Sequence, residues 1–358
     1  MSKLKHLLLI IIVLYFSNCS IVELSKASNN QHIILKTNKI PFELKENRIL
    51  VGNDVNFMLD IGAPNVIYKS KINNFPVSDS IVMGSLIKNN GQSIKNKIVI
   101  IDTLENSFFK GEKILFRLID NMNNCHNANG ILGSELLENS ILELNFEKNY
   151  IMKIDSLSTD HKNSYQELEV DDFDGFYFYI KIKANNKFFS VKLDTGSPYD
   201  ILLKKKDYNK FAKNESSENY YFNTKSNLDS LLVSHHQIYI NNIPETHLVL
   251  TNNYIKRNIL GIEYMKNFNW ILDYNSGKIF IKQFDKISKK PTLPENKVVI
   301  EDNSLVFYQT KNINSINKLG QKIFSVNGEK IDNNNICKYY ELLNSNDWNS
   351  IKIEWKGL

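Results

Sequence analysis

The chain has 358 residues, a formal net charge of +5, 42% hydrophobic and 23% charged residues, and three cysteines. Such a composition excludes a disordered chain and leaves room for two or three compact domains. The mild basicity, without a concentrated Lys/Arg face, argues against a nucleic-acid partner, and three cysteines do not make a disulfide framework.

Residues 1–18 open with Lys3 and Lys5 and continue as an apolar run from Leu7 to Phe16, the layout of a secretory signal and too short for a spanning helix. Cys19 follows at once, a placement that resembles the lipobox of bacterial lipoproteins. The resemblance implies lipidation of Cys19, a membrane anchor, and a chain exported to the periplasm or cell exterior. Phe16-Ser17-Asn18 departs from the usual small-residue box. Residues 19–40 are polar and Asn-rich and read as a tether.

From residue 41 to 157 the text is strand-rich. After the turn signal Gly52-Asn53-Asp54, residues Val55, Phe57 and Leu59 alternate toward Asp60, which is followed by Ile61-Gly62-Ala63-Pro64 and the apolar run Val66-Ile67-Tyr68. The segment from Ser80 to Ile101, with Asn89-Asn90-Gly91 at its middle, reads as a hairpin, either an ordinary surface hairpin or a flap over a cleft. Gly130-Ile131-Leu132-Gly133 comes next. Residues 158–175, ending in Asp171-Asp172-Phe173-Asp174-Gly175, read as a solvated linker, since the acidic run lacks the ligand spacing of an EF-hand.

A second copy spans residues 176–285. Asn185-Asn186 supplies the turn, Phe189, Val191 and Leu193 alternate on one face of a half-buried strand, and Asp194 is followed by Thr195-Gly196-Ser197-Pro198 and Ile201-Leu202-Leu203. Asn258-Ile259-Leu260-Gly261 corresponds to the earlier Gly-ended segment. Gly133 follows Asp60 by 73 positions and Gly261 follows Asp194 by 67; Asn145-Phe146 and Asp273-Tyr274 then lie at the same distance beyond each glycine. A pattern repeated in four parts is an internal duplication. His235 and His236 point to opposite faces of a strand and read as surface and core, and no Cys/His cluster has metal-ligand spacing.

Beyond the basic, Pro-containing boundary Lys289-Lys290-Pro291, residues 297–358 form a smaller unit. Leu319-Gly320-Gln321-Lys322-Ile323-Phe324-Ser325-Val326-Asn327-Gly328 resembles the central hairpin of PDZ domains, with a short helix at 338–345 and a strand from Ser350 to Trp355 after it. Leu305-Val306-Phe307-Tyr308 carries no Gly-rich carboxylate-binding loop, so a shortened PDZ-like α+β module is expected.

The doubled Asp-x-Gly-small pattern, each copy followed about seventy residues later by apolar-apolar-Gly, resembles the lobes of pepsin-like and retroviral-type aspartic peptidases. The resemblance covers roughly residues 40–284. It implies an all-β fold of two barrel-like lobes related by a pseudo-twofold, with the PDZ-like module appended. It also implies catalytic roles for Asp60 and Asp194, loop support from Gly62, Ala63, Thr195, Gly196 and Ser197, and backing of the loops by Leu132, Gly133, Leu260 and Gly261. The expected reaction is hydrolysis of a peptide or protein substrate by a water activated between the carboxylates, with no cofactor or metal.

Two residues depart from that pattern. Ile61 stands where the family has Thr or Ser, whose hydroxyl reaches across to the other lobe, and Ala63 stands opposite Ser197. Loss of a donor at Ala63 is expected to raise the pKa of the pair and move any activity toward neutral pH. The alternative is a silent peptidase fold that binds extended peptides as a sensor or chaperone.

Overall fold

The computed structural model describes residues 24–356 apart from 25, 53–55, 88–92, 121–124, 126, 211, 213–216, 225–226, 242, 284–291 and 346–347, and the side chains of 82–87, 93–96, 224 and 227. The signal segment, Cys19, Asn53-Asp54, Asn89-Asn90-Gly91 and Lys289-Lys290-Pro291 lie outside the described residues.

The first half supplies β1 His32–Leu35, β2 Ile40–Lys45, β3 Arg48–Val51, β4 Phe57–Asp60, β5 Val66–Tyr68, β6 Val77–Ile87, β7 Ser93–Glu105, β8 Phe109–Ile119, β9 Gly130–Gly133, β10 Ile141–Asn145 and β11 Tyr150–Ile154. The second supplies β12 Gln166–Leu168, β13 Val170–Phe173, β14 Phe178–Ala184, β15 Lys187–Asp194, β16 Ile201–Leu202, β17 Glu218–Thr224, β18 Asn227–Ile240, β19 Ile243–Thr251, β20 Ile259–Gly261, β21 Phe268–Asp273 and β22 Lys278–Gln283. The chain closes with β23 Asn296–Glu301, β24 Ser304–Thr310, β25 Ile323–Val326, β26 Glu329–Lys330 and β27 Ile353–Trp355.

The duplication read from the sequence is a duplication of strand pairing. In the first lobe β4 pairs antiparallel with β3 and parallel with β9, β9 pairs antiparallel with β5, β5 runs parallel to β8, and β7 and β6 continue the sheet. In the second, β15 pairs with β14 and runs parallel to β20, β20 pairs with β16, β16 runs parallel to β19, and β18 and β17 continue. The two sets match strand for strand. Between the lobes, β10 and β21 pair antiparallel with Leu142 opposite Leu272, flanked by β11 and β2 on one side and by β22 and β12 on the other. The fold is thus all-β and two-lobed about a pseudo-twofold.

Alternation explains why these segments are strands. Phe57 and Leu59 in β4, and Phe189, Val191 and Leu193 in β15, all enter one apolar core that runs through both lobes and includes Leu132, Leu260 and Trp270. Trp270 is fully buried and its indole Nε1–H donates to Met265 O at 2.7 Å, so no polar atom of this ring is left unbonded in the core.

Ordered packing reaches further than the sequence indicated. β1, inside the expected tether, pairs with β8. Within the expected linker, Thr159–Ser164 is a helix capped by the Ser158 side chain, and β12 and β13 join the two sheets on either side of it. The acidic side chains there face outward while Leu168, between Glu167 and Glu169, is buried. One buried leucine is enough to seat the three-residue β12 at a sheet edge.

The C-terminal unit has its own core of Val298, Leu305, Ile323, Val326, Ile336, Tyr339 and Leu343. β25 and β26 form a hairpin around Asn327 and Gly328, both at positive φ, and the helix Ile336–Ser345 packs on β23. β24 pairs with β23 on one edge and with β17 on the other, Phe222 lying opposite Gln309, so the unit continues the sheet of the second lobe. The Asn344 amide accepts from Val298 N at 3.0 Å and donates to Val298 O at 3.2 Å, filling a backbone position on the outer edge of β23.

The cysteines require a correction. Cys125, after β8 in the first lobe, and Cys337, in the C-terminal helix, form a disulfide with Cα atoms 5.3 Å apart. Three cysteines gave no expectation of a disulfide framework, yet the C-terminal unit folds back against the first lobe, and Lys45 Nζ meets Glu341 Oε1 at 2.6 Å on the same contact. The bond closes a loop with a sequence separation of 212 residues. In the chain-entropy account a loop of this size stabilises by up to about 5 kcal/mol. A Cys125→Ser/Cys337→Ser chain is expected to lose about 2–5 kcal/mol of stability, measured by denaturant unfolding, with the strand content of the lobes unchanged by circular dichroism.

Candidate active site

Asp60 and Asp194 end β4 and β15, the two strands that the pseudo-twofold relates. Each aspartate is held in register by the parallel strand behind it, with Asp60 opposite Gly133 and Asp194 opposite Gly261. Gly133 and Gly261 lie so near the aspartate loops that a Cβ would come within 2.3 Å of Ala63 O and 2.1 Å of Tyr199 O respectively. Leu132 and Leu260, both fully buried, anchor the same strands in the core. Leu132-Gly133 and Leu260-Gly261 thus lie on the strands paired directly behind those that end in the two aspartates.

The loops also meet. A Cβ on Gly62 would lie 2.4 Å from Asp194 Cγ, and one on Gly196 would lie 2.0 Å from Asp60 Oδ2, so each carboxyl rests against the glycine of the opposite lobe. The charge of Asp194 acts on Asp60 across this contact, and both carboxyls are nearly inaccessible, 9% exposed at Asp60 and 5% at Asp194. Asp60 Oδ1 also accepts from Gly62 N at 2.8 Å. The backbone turns are alike, with Ala63 N bonded to Asp60 O at 3.1 Å and Ser197 N to Asp194 O at 3.2 Å.

The cross-lobe grip is one-sided. Thr195 Oγ1 accepts from Ile61 N and donates to Leu59 O, each at 3.0 Å, and so clasps the first lobe's loop. Ile61, 2% exposed, has no hydroxyl to return that bond and instead fills the core. The expected role of Ser197 as a donor does not appear, because its buried Oγ has no hydrogen-bond partner among the described residues. Ala63 thus removes nothing that Ser197 supplies.

The electrostatics agree in direction with the expectation from Ala63 but have another cause. Asp60 is pushed up to about 8, first by burial and then by the charge of Asp194, against the Gly62 N–H and the Lys192 ammonium, which pull it down. Burial first and the neighbouring charge second, rather than a lost hydroxyl, hold the proton on the pair.

Lys192 and Tyr177 went unnoticed in the sequence reading. Lys192 precedes Asp194 by two positions on β15 and so shares its face, which the reading of that strand as half buried had left to solvent. Lys192 is 2% exposed, and its Nζ donates to Gly62 O in the other lobe at 2.6 Å and lies 3.4 Å from the centroid of the Tyr177 ring. The matching position on β4 is Met58. Burial pushes Tyr177 up to about 12. An ionic side chain spaced by two from a candidate acid was the signal available.

The remaining candidates lie elsewhere. The expected hairpin between Ser80 and Ile101 is formed by β6 and β7, with Ile87 opposite Ser93. His235 is exposed and His236 buried, its Nε2 2.6 Å from Ser234 Oγ. Buried His247 pairs with buried Asp200 at 3.1 Å, a contact between β19 and the segment after the second aspartate loop.

No family model matches the chain and no curated protein matches it. Among solved structures the chain is similar to one described as the crystal structure of aspartic proteinase from Irpex lacteus, with a TM-score of 0.44 and 10% identity over 69% of this chain and 97% of that one. The pseudo-twofold stands on the chain's own strand pairing without that similarity.

Proposed function

We propose that the protein is an aspartic endopeptidase, acting on peptide or protein substrates with Asp60 and Asp194 as the catalytic pair. The observation that carries this reading is the pair itself: two buried carboxyls, one from each half of a duplicated chain, each packed against the glycine of the opposite aspartate loop where the lobes meet. Two carboxylates so placed cannot both ionise cheaply and share a proton. The unprotonated carboxylate takes a proton from a water seated between them, the resulting hydroxide attacks the peptide carbonyl, and the protonated carboxyl donates to the carbonyl oxygen. Collapse of the tetrahedral intermediate expels the amine, which is protonated as it leaves.

The Cys125–Cys337 bond supports an exported chain, since disulfides persist in oxidising compartments. Retention by a lipid on Cys19 is part of the same proposal. The one-sided grip at Ile61 favours the second reading, a peptide-binding protein without turnover, and the first experiment separates the two. Purified chain lacking residues 1–18 is incubated with a mixed peptide library beside Asp60→Asn and Asp194→Asn. Each variant is expected to lose activity by about 10²–10⁴-fold, the contribution of a positioned acid or base. Peptide binding without cleavage by the unaltered chain would establish the second reading instead.

The Asp60 shift fixes two further expectations. The alkaline limb of kcat/KM should fall with an apparent pKa near 8, where the pair gives up its last proton. Stability follows the same group. Its folded-state pKa is raised from 3.8 to about 8, so the folded chain holds a proton that the unfolded chain releases, and stability is lost as pH rises through that window. Asp60→Asn should therefore raise the melting temperature by several degrees at about pH 8 and scarcely at all near about pH 4, read by scanning calorimetry.

A further inference from the structure

We propose that Lys192 is a built-in countercharge and positioning residue for the aspartate pair: its buried ammonium holds the first lobe's loop through Gly62 and offsets the single negative charge that the pair carries. The inference deepens the endopeptidase reading and rests on it for its kinetic arm.

Three observations lead to this role. First, β15 and the residue after it supply two contacts from the second lobe to the opposite loop. Thr195 takes the Ile61 N–H and Lys192 takes the Gly62 carbonyl at 2.6 Å, while Gly62 N is bonded to Asp60 Oδ1 at 2.8 Å. Both backbone groups of Gly62 are therefore committed, one to the carboxyl and one to the lysine. The bond that Ile61 cannot return is replaced by a second bond from the same side.

Second, a lysine is almost never fully buried without a partner charge, because the desolvated ammonium is too costly. Lys192 is 2% exposed, and its Nζ donates to a neutral carbonyl and lies over the face of the Tyr177 ring. Burial lowers its pKa, and the charges of Asp194 and then Asp60 raise it again; Arg257 works against them and Asp174 with them. Around Tyr177 stand Glu135, Arg117 and Asp60, with Glu135 and Arg117 ion-paired to each other at 2.8 Å. The aspartate pair is thus the main source of negative charge that can keep this ammonium ionised.

Third, the duplication provides an internal control. The matching residue is Met58, which runs beside β9 as Lys192 runs beside β20. A methionine fits that place in one lobe, so packing alone does not require an amine in the other.

The test replaces Lys192 by Met, by Gln and by Arg. The pH dependence of kcat/KM is followed together with the aspartate side-chain carboxyl ¹³C resonances, with Asp60→Asn used to assign the pair. Removing the charge in the Met and Gln chains is expected to raise the pair's upper apparent pKa by at least about one unit, a tenfold gain in proton affinity, and Arg to leave it nearly in place. The loss of the Gly62 contact should lower kcat more than it changes KM, since it misplaces a catalytic carboxyl. An unmoved upper pKa in both neutral chains would overturn the proposal.

If the neutral variants do not fold, the reciprocal measurement decides. Coupling is mutual, so the double variant Asp60→Asn/Asp194→Asn, which removes the charge that either single replacement would leave on the other aspartate, must lower the Lys192 pKa, followed through its ¹⁵Nζ resonance, by an amount similar to that with which Lys192 lowers the pair. No change there would also overturn it. The resonances report on the countercharge even in a chain that cleaves nothing, so failure of the endopeptidase reading and failure of this inference remain distinct.

Discussion

The structure depends on one uncomfortable contact, two carboxyls brought together out of water at the seam of two lobes. Like charges in a desolvated place repel, and the molecule meets that repulsion by keeping a proton, by donating Gly62 N–H, and by burying an ammonium nearby. The rest of the fold serves to make the contact unavoidable. Parallel pairing of Asp60 with Gly133 and of Asp194 with Gly261 fixes each strand end, glycines that a methyl group would jam allow the loops to interleave, and the β10–β21 pairing ties the lobes together.

Symmetry sets up this geometry and asymmetry tunes it. Both halves bring the same strands to the seam, yet the second half provides the hydroxyl of Thr195 and the amine of Lys192, whereas the first provides Ile61 and Met58. The two outer hairpins have diverged in the same way. β17 is paired by β24 of the C-terminal unit, while its counterpart β6 ends its sheet with no further strand paired to it among the described residues. The C-terminal unit also reaches the first lobe through Cys125–Cys337 and Lys45–Glu341, and so braces both lobes from one side.

What was legible in the sequence is what repeats or alternates. Phe57, Leu59, Val191 and Leu193 announce buried strand faces by spacing alone, and the two Asp-x-Gly loops announce each other by their similar distances, 73 and 67 positions, from Gly133 and Gly261. Features that occur once were harder to see. Leu168 and Val170 are hidden among acids, one in each of two strands of three or four residues that join different sheets, and so short a strand at a sheet edge needs little apolar signal. The disulfide joins residues whose proximity depends on how the C-terminal unit packs back on the first lobe, which no local pattern encodes.

Lys192 marks the limit of reading by period. Alternation assigns residues to one face or the other, and for β15 it put Phe189, Val191 and Leu193 in the core and left Lys192 and Asp194 together on the opposite side. A charged residue on that side is ordinarily taken as solvated. At the end of a strand bearing an acid at a lobe junction that assumption fails, because the opposite face is covered by the other lobe. The companion of a buried acid on its own face, two residues before it, is therefore under the same desolvation, and a lysine found there has been placed where its charge is felt.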